Sequence, residues 1–526
     1  MILKGLTSVK KHWIPIGIIL VALLSFVSYA YLLPDKKTVP ETSSVPWEGG
    51  KWRTSTPEEQ GIYSAELADV LKTVQSEHTN IHSLLIVRNG FLVLSTYFAP
   101  YQEGDGVFYP VHSVTKSITS ALTGIAINEG ALKGIDQKVL NSFPEESKNN
   151  TDLNKAAITV KNLLTMQSGL DWPETQVRYG NNNIVDQMME SPNQVQFILN
   201  QPMSSAPGTV YNYNTGASHL LSAMIQKKIG INLKEYAMEK LFGPLGITDF
   251  FWAADKQGVS YGGAGLQLTP EDMAKIGYLY ATNGLINGKQ VIPAKWVSES
   301  TTMNNTNGFK YGYQWWGGLD YFYASGSYGQ GIFVSPEKNL VVVMTSDISD
   351  TDPKIETNKL FSRIKSAAVS QQALPVNSEG NQQMKEQVRL ASSSKMPTPQ
   401  LPAIANEISG RTYMVKKNNA GLNFSAFTLN FSNKSDVAVF KKTLGAEIVD
   451  ISVGLDNEYR ETGNYKAKGY WDGDAFIINQ HYVIPDSHTP YDSMIKFLFD
   501  EMEGKLEIEE LSGIKSQKIV VDIISK

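Results

Sequence analysis

Apolar residues recur at helical spacing from Ser64 to about Ser76 in "SAELADVLKTVQS", with a serine at the start placed to cap the helix. The period then shortens. Two β-rich runs in "HSLLIVRNGFLVLSTYFAP" flank Arg88-Asn89-Gly90, and Asn-Gly between such runs predicts a tight hairpin. From Ser113 to about Met303 the pattern is mostly helical and loop-rich. Paired apolar runs return in "YFYASGSYGQGIFVSPEKNLVVVMTS" around a turn at 336–339, and "PKIETNKLFSRIKSAAVS" reads as a closing helix. Strands at both ends of a helical insert predict one antiparallel sheet built from chain-distant hairpins, with the terminal helices packed on it. That domain spans 56–370. Residues 371–405, low in aromatics and rich in Gln, Ser and Pro, read as a linker. From 406 to 526, short alternating runs such as "AFTLNF", "YKAKGYW" and "KLEIEEL" predict an all-β, barrel-like accessory domain.

The N-terminal 34 residues have a different character. "WIPIGIILVALLSFVSYAYLL" (13–33) is uncharged and long enough to cross a bilayer core as a helix. Lys4, Lys10 and Lys11 precede it, favouring a cytoplasmic tip. The competing reading is a signal peptide cleaved after Ser28-Tyr29-Ala30. Both readings put the bulk of the chain outside the cytoplasm, either held at the membrane or secreted. Residues 35–55 then act as a spacer.

Composition narrows the chemistry. Among 526 residues there is no cysteine, which removes thiol nucleophiles, iron–sulfur clusters, cysteine-ligated zinc and disulfides. The net charge of −5 comes without a basic block, so nucleic acid is not an expected partner.

The sharpest candidate lies in "YPVHSVTKSITSALTGIAINEG" (109–130). Ser-x-x-Lys alone decides nothing, since it occurs seven times in the chain. Ile118, Ala121, Leu122, Ile125 and Ala126 share one helix face, so Ser113 falls in the first turn of a buried helix with Lys116 one turn on. A helix N-terminus directs unpaired N–H groups at the serine oxygen, and one of them can serve an oxyanion hole. A lysine held among apolar groups loses its proton readily and can then take the serine's. The alternative is an ordinary N-cap serine beside a solvated lysine. Two further stretches bear on the choice: "PGTVYNYNTGASHLLSAMI" from Pro207, and "ASGSYGQ" from Ala324, where Gly326 would allow close approach of a strand edge to a substrate.

With "SVTKSITSALTG", "LLTMQSGLDW", "PGTVYNYNTGASHLL", "LFGPLGITDFFW", "GGAGLQLTPEDMAKIG", "YGYQWW" and "YASGSYGQGIFVSPEKNLVVVMTS" in order, residues 50–370 resemble the serine β-lactamase and penicillin-binding-protein-like hydrolases, near their class C and esterase branch. The resemblance implies an α/β (α+β) transpeptidase-like fold, an antiparallel sheet flanked by helices, and acyl transfer without metal or organic cofactor. It implies Ser113 as nucleophile, Lys116 as its partner and Tyr213 as a proton relay. The backbone N–H groups of Ser113 and Ser327 would form the oxyanion hole, with Thr215, Ser325, Gly326 and Tyr179 near the substrate. Two departures stand out. Thr215 replaces the usual asparagine, and Ala324 replaces a lysine or histidine that would bind a substrate carboxylate. Both point away from an efficient β-lactamase, towards an esterase or amidase like the 6-aminohexanoate-dimer type, acting on a small ester, amide or peptide.

Other features weigh less. His112 is expected as a loop histidine beside the nucleophile. His78 and His82 have i, i+4 spacing but no third ligand, so no metal site is expected. Ser325 occupies the first glycine position of a Gly-x-Ser-x-Gly elbow around Ser327, which excludes that motif. Two rival readings remain: a membrane-anchored, non-hydrolytic module that binds cell-wall peptides or β-lactams, and a chain whose functional part is the C-terminal domain.

Overall fold

The computed structural model describes residues 46–525 apart from 49–50, 77–79, 105–106, 178–181, 307, 349–356, 393–397, 399, 416–423, 433–434, 485–488, 501–502 and 511–517. The apolar run at 13–33 lies outside the described residues, as do Tyr179 and His78. Among the described residues no helix is long and apolar enough to cross a membrane.

The predicted sheet forms from both ends of the 56–370 segment. Its strands are β1 (Ile81–Arg88), β2 (Phe91–Tyr97), β3 (Asn304–Thr306), β4 (Phe309–Tyr311), β5 (Trp316–Gly317), β6 (Phe322–Gly326), β7 (Gln330–Ser335) and β8 (Leu340–Ser346). They run in the order β3-β4-β5-β6-β7-β8-β1-β2, every pairing antiparallel. Asn89 (φ 51°) and Gly90 (φ 81°) turn the β1–β2 hairpin with both central residues left-handed, as a type I′ turn requires. Asn339 (φ 46°) ends the β7–β8 turn in the same region.

Every residue of β1 and β8 is buried, because helices cover both faces of the sheet. Leu84 and Ile86 of β1 and Leu340, Val342 and Met344 of β8 pack with α1 (Ser64–Ser76) and α5 (Thr357–Ala367). The alternate positions face the other way, where α4 (Pro270–Ala281) lies so close that a Cβ on Gly277 would meet Val341 at 2.5 Å and Ile332 at 2.8 Å. Each such aliphatic side chain contributes about 1.5–3 kcal/mol on burial. α1 is not capped by its own serine. The Ser64 N–H and hydroxyl both donate to buried Glu58, at 3.0 and 2.6 Å.

Two helices fill the space between the sheet and the insert. In α2 (Val114–Asn128) all thirteen residues from Val114 to Ala126 are buried. Two of its hydroxyls are tied off on backbone carbonyls of other segments, Ser117 to Gln314 and Thr119 to Gly262, each at 2.7 Å. α3 (Thr215–Ile229) lies beside it, and Gln314 joins the pair by accepting from Ser218 at 2.8 Å.

The 371–405 segment is not bare linker. It contains α6 (Ser378–Ser392), laid along α1 and β2, with Met384 in the same core as α1. Beyond it, ten strands among the described residues run from Thr412–Val415 to Lys518–Ser525. First and last pair at Tyr413↔Ser525, and a parallel bridge at Gly454↔Lys468 closes the barrel. Its interior is solid with aromatic side chains, including Phe427, Phe440, Phe476 and Phe497. A buried polar cluster meets the sheet-containing domain: Asp492 accepts from Tyr101 and bonds His481 Nδ1 at 2.8 Å.

Candidate active site

Ser113 occupies the N-cap of α2, but its side chain makes no capping bond. Its Oγ lies 3.1 Å from Lys116 Nζ. The N-cap alternative fails on that geometry. Lys116 is itself buried, with Nζ donating to the Gly263 carbonyl at 2.8 Å and to Thr215 Oγ1 at 2.9 Å, and standing 4.8 Å over the Tyr213 ring. Burial pulls its pKa down to about 8, against the opposing pull of the Glu174 charge. The Tyr213 phenol lies close enough to Ser113 to interact with it. Burial, then the Glu174 charge, raise its pKa above the ordinary phenol value, while the interaction with Ser113 acts in the other direction.

The backbone around the serine is held in unusual conformations. His112, just before it, has φ 47°, and Tyr328, just after Ser327, has φ 63°. Their rings meet at 5.4 Å, and the Tyr328 carbonyl is held by Ser346 Oγ at 2.7 Å. Burial first, then the Lys116 charge, lower the His112 pKa to about 4. His112 and Ser113 share one cleft with Thr215, Gly263, Ser327 and Tyr328. A wider adjoining cleft of about 640 Å³ reaches Tyr211, Tyr213, Phe309 and Trp316, with Tyr211 stacked on Phe309 at 4.6 Å.

The structure thus brings together Ser113, Lys116, Tyr213, Thr215 and Ser327. Gly326 also has a packing role within the fold. A Cβ there would sit 2.4 Å from the Val111 carbonyl, so its missing side chain admits the strand leading to the nucleophile. Ser325 pairs with Gly331 inside the sheet. Trp315 is fully buried core, whereas Trp316 walls the cleft and stacks with Tyr213 at 5.9 Å. Gln330 is buried and donates to the Ser346 carbonyl. No group of three or more potential metal ligands occurs among the described residues.

Sequence reasoning missed Glu174 and Gly263. Glu174 is buried, accepting from Thr215 Oγ1 at 2.6 Å and from both the Thr215 N–H and Trp172 Nε1 at 2.7 Å. The signal available was its place two residues after the "GLDW" tryptophan. Gly263 has no local signature, and its carbonyl matters only through the fold.

A serine whose oxygen contacts a buried amine of lowered proton affinity, beside a phenol, is equipped for acyl transfer. Comparison with known proteins agrees. The family model described as Beta-lactamase matches residues 73–362, just over half of the chain. The 6-aminohexanoate-dimer hydrolase of Paenarthrobacter ureafaciens is 22% identical over 330 residues, 57% of this chain and 81% of that protein. The lovastatin esterase of Penicillium rubens is 28% identical over 161 residues, 28% of this chain and 40% of the esterase. A solved Bacillus anthracis structure, described as a 6-aminohexanoate-dimer hydrolase, shares the fold at a TM-score of 0.51 and 22% identity, covering 62% of this chain and 89% of its own. The chain belongs to the β-lactamase family, the serine hydrolases of the β-lactamase and penicillin-binding-protein type.

Proposed function

We propose that this chain hydrolyses small esters or amides through an acyl-enzyme on Ser113. The observation that carries the reading is the 3.1 Å contact between Ser113 Oγ and a buried Lys116 whose pKa falls to about 8. In its neutral form Lys116 takes the serine proton as Oγ attacks the acyl carbon. The resulting oxyanion is stabilised by the Ser113 and Ser327 N–H groups. Collapse expels the alcohol or amine, which receives its proton from the Lys116–Tyr213 pair. Water then attacks the ester carbonyl and releases the acid, restoring Ser113.

Ala324 supports a substrate without a carboxylate anchor at that position. It is buried in β6 and presents only a methyl group where the resemblance leads one to expect a cation. The aromatic cleft of Tyr211, Phe309 and Trp316 suits an apolar acyl or leaving group. The relatives named as a dimer hydrolase and an esterase are consistent with that class. The apolar run at 13–33 supports placement outside the cytoplasm, held at the membrane or secreted.

The test treats the protein with a fluorophosphonate and, separately, with a labelled penicillin, mapping adducts by mass spectrometry with Ser113→Ala as control. A fluorophosphonate adduct at Ser113, absent in the control, is expected. A penicillin adduct there moves the substrate towards cell-wall peptides. Folded protein that takes neither label defeats the acyl-enzyme reading and favours a binding module.

A further inference from the structure

The hydrogen bonds behind Lys116 have a direction, and Glu174 sets it. A carboxylate only accepts. Glu174 Oε2 takes the Thr215 N–H and Trp172 Nε1–H, two groups that only donate, and Oε1 takes the Thr215 hydroxyl at 2.6 Å. The single proton of that hydroxyl is then committed, so Thr215 Oγ1 meets Lys116 Nζ, 2.9 Å away, as an acceptor. The Gly263 carbonyl, 2.8 Å from the same nitrogen, is an acceptor too. A neutral lysine has two N–H bonds and one lone pair. Both N–H bonds are taken by Thr215 and Gly263, and the remaining hydrogen-bond partner among the described residues is Ser113 Oγ at 3.1 Å.

We propose that Glu174 is a positioning residue: by holding the Thr215 hydroxyl as an acceptor towards Lys116, it leaves the lysine lone pair only the Ser113 proton to receive. This rests on the acyl-enzyme reading above. The same contacts explain how threonine serves where asparagine was expected. The amide's donor is not missed, because the lysine needs an acceptor, and a buried carboxylate ensures that it finds one. The arrangement is also rigid. Glu174 is 1% exposed, and its Thr215 N–H bond fastens it to the first turn of α3, the helix that follows Tyr213. Gly263 is required as glycine, since a Cβ would lie 2.8 Å from Thr215 Cγ2 and 3.3 Å from Lys116 Nζ.

Glu174 has a second, separable effect through its charge. Glu174 lies within two short hydrogen bonds of Lys116 and favours the protonated lysine. Removing the charge lowers the lysine's proton affinity, while removing the acceptor frees the threonine proton to bind the lysine lone pair.

The experiment measures the rate of fluorophosphonate labelling at Ser113 against pH in the full chain, for wild type, Glu174→Gln, Thr215→Val and Thr215→Ser. Glu174→Gln is expected to move the rising limb to lower pH by about half a unit or more. Its plateau rate should fall about tenfold or more as the base loses its direction. Thr215→Val should lose the plateau rate without that downward shift, because the charge remains. Thr215→Ser should restore the wild-type rate. A Glu174→Gln protein with an unmoved limb or an undiminished plateau overturns the proposal, as does Thr215→Val that labels like wild type. Should Glu174→Gln not fold, the valine–serine contrast decides alone. Wild-type protein that does not label at all brings down the acyl-enzyme reading itself, and this inference with it.

Discussion

Acid should weaken the fold through His82, by an amount that one substitution isolates. The His82 ring is buried in β1, stacked on Tyr101 at 4.1 Å, and neither ring nitrogen has a hydrogen-bond partner among the described residues. Asp492 of the barrel approaches Nε2 to 3.8 Å, and His481 and Tyr109 complete the surroundings. Burial depresses the imidazole pKa to about 4, with Asp492 opposing and His481 assisting. In the unfolded chain the value is about 6.5. The folded form therefore keeps the ring neutral. Stability from it is complete above the unfolded value and drains away as pH falls through 6.5 towards the folded pKa. Between pH 7 and pH 5 the loss comes to about 2 kcal/mol.

His82→Phe keeps a ring in the stack and removes the titration. Urea unfolding of both proteins at pH 7 and pH 5, followed by tryptophan fluorescence, should show the variant losing about 2 kcal/mol less on acidification. The comparison must be between proteins because neighbouring Asp347 works in the opposite direction. Burial, then the Asp492 charge, raise its carboxyl to about 8, so it gains stability as it protonates below that pH. Equal acid losses in wild type and His82→Phe would refute the reasoning.

Two further outcomes follow from the site. If neutral Lys116 is the base, as proposed, its pKa of about 8 means Ser113 labelling should accelerate about tenfold from pH 7 to pH 9, and a flat profile would contradict that role. Gly326→Ala places a Cβ 2.4 Å from the Val111 carbonyl, so the nucleophile's approach must shift, and acylation should slow by about a hundredfold in folded protein. Unchanged labelling of that variant would show the strand yields freely.

The hairpin at Asn89-Gly90, the helix behind Ser113 and the chain-distant sheet were legible because each has a local period or turn chemistry. Ser113, Lys116 and Tyr213 were legible through motif order. The rest depended on contacts that no spacing records. Glu174 binds Thr215 across 41 positions, and Gly263 meets Lys116 across 147. α6 was read as linker because its buried face is thin, resting on Gly380, Met384 and Ala391 among polar residues. Close approach at Gly326 was legible, and its partner within the fold is the Val111 carbonyl, a contact the local sequence does not record.

The position of β8 has a consequence for timing. It lies between β7 and β1, so the hairpin made early in synthesis joins the rest of the sheet only through a strand made more than 240 residues after β2. Ser113, Tyr213 and Ser327 are all synthesised before that strand. A chain still under construction therefore holds every reactive group without the frame that aligns them. On the acyl-enzyme reading, labelling of Ser113 should therefore require β8 to be in place.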